Sequence, residues 1–522
     1  MTKQHLYRWG IFPLWLLLTA TVFFRMPIPI DETRYLSVAW EMWLRNDFLV
    51  PYLNGHAYSH KPPLLFWMFH LGWAAFGVND WWPKLIGPIC ALINLLLIRQ
   101  LAKKLWPNLP EIALLAPWVL ISTLLWTLFA PAAMFDILLC CFVLLAMLGI
   151  LEISRNHSFT GMVYLSTAIG LGLLSKGPVI FLHLVPVMFL VRFWIDKDTP
   201  RNWSLNLLLA ILAGSIVALS WAIPAALSGG EGFGNEILWR QIADRTIKTE
   251  IHVRPIYWYL LFLPLCLFPW FFWPHLWRNR LQVTANEDSG TRFCMIWFQV
   301  GFLLFSVVSS KQIHYLIPLL PAFALLVSRI LVFSPQTACH DQIAMPVFFM
   351  LAGLLLVSLP YLPWFSTLHW VQGFHSGWGL AVMAVAVVMG VSLHLLHKYS
   401  VAIIASALVV GVFIGFICFF KYTGLAYDLR PAALRLKALQ DQGKACAFVG
   451  DYQGQFHFLG RLDQPLPTIS IYEIAEWASH HPDGILISIE KNRPETSLYS
   501  QMQREYWLVF RPAFQQEELR PI

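Results

Sequence analysis

The chain is a succession of long apolar runs separated by short polar connections. A bilayer core about 30 Å thick takes roughly 20 apolar residues per helix. On that measure spans fall at 9–24, 83–102, 111–129, 133–151, 160–175, 178–195, 204–227, 256–275, 293–310, 313–332, 344–361, 377–396 and 401–421. The pattern therefore predicts about thirteen transmembrane helices. The first run follows Lys3 and Arg8, as a signal peptide would, but no small-residue cleavage site comes after it, so an uncleaved span is expected.

Two longer connections, 25–82 and 228–255, interrupt the series. In the first, Leu36, Ala39, Trp40 and Trp43 recur at helical spacing with Arg34, Glu41 and Arg45 on other faces, which predicts a helix lying in the membrane interface with its aromatics at headgroup depth. Pro62 and Pro63 open a second apolar stretch, Leu64 to Phe76, too short for a span and expected as another interfacial helix. Beyond Tyr422 the pattern changes. Short strand-like runs at 445–450, 485–489 and 506–511 accompany helical patterns at Pro431–Gln442 and Ile471–Ser479. The expected organisation is a membrane domain over 1–422 and a small α/β domain over 423–522.

Composition removes the soluble alternatives. Hydrophobic residues make up 58% of the 522-residue chain and charged residues 12%, about half the roughly 25% of soluble proteins. So little polar surface cannot cover a globular enzyme of this size. The net charge of +7 includes no basic run on a soluble module, so no nucleic-acid partner is implied. Membrane lipids are. With the amino terminus inside, cytoplasmic loops collect Lys3, Arg8, Lys103, Lys104, Arg155, Arg192, Arg278, Arg280 and Arg329 among others, while the short outer connections hold Lys176 and Lys311. An odd number of spans then puts the carboxyl-terminal domain outside. The eight Cys include no Cys-x-x-Cys, and most fall in apolar runs, where they read as small buried hydrophobes.

Against this background the ionisable residues near membrane depth stand out, since each is costly unless paired or wetted. Asp31, Glu32, Arg34 and Tyr35 follow the first span. His60 and Lys61 precede Pro62. Asp136 begins the fourth span, Lys176 ends the fifth, His252 and Arg254 precede the eighth, and Lys311, His314 and Tyr315 lead into the tenth. Singly, a lysine at a helix end snorkels and an aspartate caps a helix. Together they all fall at the outer boundary, whereas snorkelling alone would populate both faces. A polar cavity open to the outer leaflet is expected, with cations for phosphate oxygens and a carboxylate able to act as general base or to hold a divalent metal. That chemistry suits a lipid-linked phosphate substrate; a lipid transporter would share the cations.

The segment Pro29-Ile30-Asp31-Glu32-Thr33-Arg34-Tyr35, followed by Asn46-Asp47-Phe48-Leu49-Val50-Pro51, Gly55, Tyr58 and Lys61-Pro62, resembles the first outer loop of the bacterial aminoarabinose transferases that modify lipid A, within the protein O-mannosyltransferase-like superfamily of GT-C fold. Phe135-Asp136, Ser175-Lys176-Gly177, Arg254-Pro255, Phe268-Pro269-Trp270 and Lys311 with His314-Tyr315 continue the likeness. His60 stands where that family often has Glu. The resemblance implies a sugar donor on undecaprenyl phosphate and lipid A or a related glycan as acceptor. It implies Asp31 as the central carboxylate and Lys61, Arg254 and Tyr315 as donor-phosphate ligands. Asp136 (a second candidate catalytic acid), Lys176, Arg34, Tyr35 and Lys311 would line the same cavity, with Glu32, His60 and His314 beside them. No cofactor is required by this pattern, and a divalent metal stays open. The competing expectations are a protein O-glycosyltransferase and a lipid-sugar flippase. Alternating access expects midplane sites between repeats, and no internal repeat is visible.

Overall fold

A computed structural model of the chain describes residues 3–196, 198–237, 253–285, 288–333, 339–363 and 376–518. Among them, ten helices are long and apolar enough to cross a membrane: Gln4–Phe23, Trp81–Leu105, Phe135–Ser154, Ser158–Phe189, Trp203–Ser228, Ser289–Val307, Ile313–Phe333, Asp341–Tyr361, Gly377–Leu395 and His397–Lys421. The protein is a polytopic helical membrane protein. The Ser158–Phe189 run turns at Gly177, whose φ of +72° is open to glycine and costly to a side chain, and two of the predicted spans meet at that turn.

The runs at 111–129 and 256–275 are broken helices. The first divides into Pro110–Ile121 and Leu124–Phe129, because the Ser122 and Thr123 hydroxyls donate back to the carbonyls of Trp118 and Val119 at 2.6 and 2.8 Å and the chain turns there. The second contains Trp258–Cys266, then Trp270–Phe272, then the start of Pro274–Ala285. The two breaks satisfy one another. Leu124 N–H donates to the Phe268 carbonyl at 2.8 Å, and the Trp270 indole donates to the Val119 carbonyl at 3.1 Å. Irregular backbone at membrane depth is tolerable only with such partners.

The Asp31–Arg45 helix, in the connection after the first span, ends in a left-handed Asn46, whose N–H reaches the carbonyls of Met42 and Trp43. A short antiparallel hairpin, β1 (Tyr52–Leu53) and β2 (His56–Ala57), follows. The expectation that the Asp31–Arg45 helix lies among headgroups is corrected by its packing. Leu36, Val38, Ala39 and Met42 are buried, Trp40 donates to the Leu462 carbonyl at 2.8 Å, and Trp43 packs on Trp73. The helix is sandwiched between the Leu64–Phe76 helix and the carboxyl-terminal domain, so its apolar face meets protein. Leu64–Phe76 occupies the bounds predicted for it and keeps Leu71 and Phe76 exposed.

The carboxyl-terminal domain is a five-stranded mixed sheet of β3 (Cys446–Val449), β4 (Thr468–Ile469), β5 (Ile485–Glu490), β6 (Tyr499–Gln503) and β7 (Tyr506–Pro512), ordered β4-β3-β5-β7-β6. β3 runs parallel to β4 and β5, and β7 runs antiparallel to β5 and β6. Helices Arg430–Asp441 and Ile474–His480 accompany it. The domain clamps onto the 25–80 connection through paired Asn54–Leu466 hydrogen bonds of 2.9 and 2.7 Å and the stacked rings of Trp73 and Phe458.

Candidate active site

Phe135 is the node where the 25–80 connection meets the membrane helices. Its ring takes Tyr35 edge-on at 4.9 Å and Phe66 at 5.8 Å, and the Lys61 ammonium lies 5.7 Å from its centroid. The next residue, Asp136, sits in the first turn of the Phe135–Ser154 helix, where the dipole favours an anion. Asp136 is buried and ion-paired to Lys176, which is buried too, and His314 Nε2 is 3.8 Å from its second oxygen. The Lys176 ammonium also stands 4.2 Å above the Tyr315 ring.

Electrostatic reach joins these groups to the start of the outer helix. Asp136, Lys176, Asp31 and Lys61 all act on His314, and Asp31, Tyr58, Arg34 and Asp136 all act on Tyr35. Burial pushes the Tyr35 phenol well above its ordinary pKa, so it is a hydrogen-bond donor at neutral pH. Asp31 keeps half of its side chain exposed and is held by Arg34 at 2.9 Å. His60 is exposed and stacks on buried Tyr58 at 5.3 Å. The neighbouring Ser59 hydroxyl donates to Glu236. The structure thus gathers Asp31, Arg34, Tyr35, Lys61, Asp136, Lys176, His314 and Tyr315 around one locus.

Three candidates differ in role or position. Glu32 is buried, and its carboxylate accepts from Arg25 and from the backbone N–H groups of Ile28 and Ala133, the latter two at 2.8 Å. Burial alone would raise its pKa, but the Arg25 charge and these hydrogen bonds outweigh it and hold the carboxyl below the usual range. Glu32 thus braces the 131–134 turn through the Ala133 N–H and through Arg25, which donates to the Pro131 carbonyl. Lys311 is buried with its ammonium donating to the carbonyls of Arg254 at 2.9 Å and Val308 at 2.5 Å, so it buttresses backbone. Arg254 has an exposed side chain lying 5.2 Å from the Trp258 ring, and its backbone N–H donates to the Ser309 carbonyl at 3.2 Å. That pairing brings Arg254 to the strand-like entry of the Ile313–Phe333 helix. His252 lies outside the described residues.

The acid–imidazole pair of buried Asp136 and half-buried His314 does not extend to a metal set. Among the described residues, no group of three or more His, Cys, Asp or Glu is gathered closely enough to hold an ion. A separate cavity of about 450 Å³ opens among Phe23, Phe24, Arg25, Lys84, Phe420 and Tyr427 on the other side of the Arg25–Glu32 pair.

Sequence reasoning missed Arg25, Gln453 and His183. Arg25 looks like an interfacial anchor at a span end, and its burial depends on Glu32 and the Pro131 carbonyl. Gln453 reaches the site from the far end of the chain, its amide oxygen accepting from Arg34 at 2.9 Å. His183 is buried below Lys176 with both ring nitrogens unpartnered, a placement that no local pattern announces.

Residues 60–226 match the family described as dolichyl-phosphate-mannose-protein mannosyltransferase. The chain is 26% identical over 384 residues to the undecaprenyl phosphate-alpha-4-amino-4-deoxy-L-arabinose arabinosyl transferase of an Enterobacter species, covering 70% of this chain and 68% of that one. It is 28% identical over 312 residues to the transferase of the same name from Pseudomonas aeruginosa, covering 58% of this chain and 55% of the relative. The fold is that of ArnT from Cupriavidus metallidurans, solved bound to undecaprenyl phosphate, at a TM-score of 0.77 and 18% identity over 97% of both chains.

Proposed function

We propose that this GT-C glycosyltransferase, a distant homologue of the aminoarabinose transferases, moves 4-amino-4-deoxy-L-arabinose from undecaprenyl phosphate to lipid A or a related envelope glycan. The reaction takes place on the periplasmic side of the bacterial inner membrane. Counting the two broken helices and both arms of the run that turns at Gly177 as crossings gives thirteen, which with a cytoplasmic amino terminus supports a periplasmic domain of 423–522 beside a catalytic domain of 1–422. The observation that carries this reading is the packing around Phe135: Lys61 lies over its ring, Tyr35, one helical turn from Asp31, packs on it edge-on, and the next residue, Asp136, pairs with Lys176 beside His314.

Breaking the anomeric C–O bond builds positive charge on the sugar ring and negative charge on the departing phosphate. Lys61 is the cation poised for that leaving group, with Tyr315 and Arg254 as its partners in phosphate binding. An interaction that strengthens as charge grows lowers the barrier instead of merely tightening the ground state. Asp31, partly open and steadied by Arg34, faces the acceptor. A phosphate acceptor is already a nucleophile, whereas a hydroxyl must surrender its proton to Asp31. The Asp136–Lys176 pair supplies a fixed dipole at the floor.

The match of 60–226 to protein mannosyltransferases supports a second reading, a protein acceptor for the same class of donor. Mass spectrometry of lipid A from cells with and without the protein separates the two. A gain of one aminopentose supports the first reading. Unchanged lipid A with glycosylated envelope protein supports the second.

A further inference from the structure

We propose that Gln453, on the carboxyl-terminal domain, is a positioning residue of the transfer reaction, acting on Asp31 through Arg34; the inference rests on the reading of Asp31 as the acceptor-facing carboxylate. A continuous chain of hydrogen bonds carries it. The Gln453 amide NH2 donates to Asp451, its amide oxygen accepts from Arg34 at 2.9 Å, and the other Arg34 amino group donates to Asp31 at 2.9 Å. Arg34 lies one turn after Asp31 on the same helix with its guanidinium 5.6 Å from the Tyr35 ring, and Gln453 adds the hydrogen bond that sets which way the guanidinium turns toward the carboxylate.

The loop that bears Gln453 is built to stay still. Gly454 has φ of +72°, and a Cβ there would come within 2.3 Å of Leu53 in the β1 strand. The Gln453 backbone N–H donates to Gln455, itself buried, at 3.0 Å. Just beyond, Phe458 N–H donates to the Ser37 hydroxyl on the Asp31–Arg45 helix at 3.1 Å. The loop is therefore wedged against the hairpin and the helix that carries Asp31. The domain does more than roof the membrane helices: it fixes one torsionally soft link between scaffold and chemistry, the role that preorganisation assigns to an outer hydrogen-bonding shell.

The test uses the full chain in nanodiscs with undecaprenyl-phosphate aminoarabinose as donor and lipid A as acceptor. Gln453→Ala is expected to lower kcat about ten-fold while leaving the donor KM within about two-fold, the pattern of a lost transition-state interaction. Arg34→Ala lowers kcat at least as far, and adding Gln453→Ala to it costs nothing more, because the two act in series. A Gln453→Ala enzyme turning over at the wild-type rate overturns the proposal. So does an equal loss in the presence and absence of Arg34, which would mark Gln453 as a prop of the domain fold alone. A wild-type chain that binds undecaprenyl phosphate and transfers sugar to neither lipid A nor envelope protein removes the acceptor-facing role of Asp31, and this inference with it.

Discussion

The Asp136–Lys176 pair gives the sharpest separation between fold and chemistry. Both side chains are almost wholly enclosed, with 3% and 5% of their surface exposed. Replacing Lys176 by Met leaves Asp136 buried beside His314 with its main cation gone, a loss of about 3–5 kcal/mol for a buried pair broken on one side. With an unfolding entropy of about 2 cal/mol/K per residue, spread over 522 residues, this lowers the melting temperature by at least about 3 °C. Replacing Asp136 by Leu as well removes the orphaned charge, and such apolar swaps are neutral to stabilising by about 1–4 kcal/mol. The double variant is thus expected to melt near the wild-type temperature and yet transfer no sugar. Cys90, Cys140, Cys141, Cys266, Cys294 and Cys446 are buried and unbonded, so a thiol-reactive fluorophore reports unfolding in detergent directly, and transfer is followed on the same preparation. A double variant that keeps wild-type turnover would refute the placement of this pair at the reacting centre.

Other outcomes follow from the same geometry. Lys61→Ala should weaken undecaprenyl phosphate binding by about 1.5–3 kcal/mol, the range for a charge-assisted hydrogen bond, with Lys61→Arg retaining most of it; tryptophan fluorescence titration in nanodiscs measures both, and equal affinities would exclude Lys61 from the phosphate site. Asp31→Asn should abolish transfer to a hydroxyl acceptor, a loss of about 10²–10⁴ in rate, and spare part of the transfer to a phosphate, as read with paired acceptors. Glu32 has a folded pKa below its ordinary 4.5, so its contribution is complete above that value and disappears as pH falls through the lower folded one. Glu32→Gln should therefore melt lower at neutral pH and lose less stability than wild type on acidification; parallel melting curves from pH 7 to pH 3 would contradict the bracing role.

The sequence carries the membrane helices because hydropathy alone decides which runs can cross lipid. It also exposes Asp31, Lys61, Asp136 and Lys176, since charges at span ends are costly enough to attract notice. It hides the two broken helices. Hydropathy counts composition, and the breaks at Ser122–Thr123 and Phe268–Pro269 exist because each supplies hydrogen-bond partners to the other. Glu32 and Asp31 are adjacent, yet a rotation of about 100° per helical residue sends one towards Arg25 and the other towards the open site. Which face is which depends on Ala133 and Pro131, distant in sequence. Strand β6, with its polar run Tyr499–Gln503, lies at a sheet edge, where no apolar alternation is needed. Gln453 meets Arg34 across 419 residues, a contact with no local trace.

The most direct test is a cryo-electron microscopy map of the chain in nanodiscs with undecaprenyl phosphate. The account predicts phosphate density within hydrogen-bonding distance of Lys61 Nζ, beside Tyr315 and facing Asp31, with the prenyl tail leaving along the membrane helices. Phosphate density in the separate cleft lined by Phe23, Phe24 and Lys84, with the Asp31 to Lys61 region unoccupied, would contradict it.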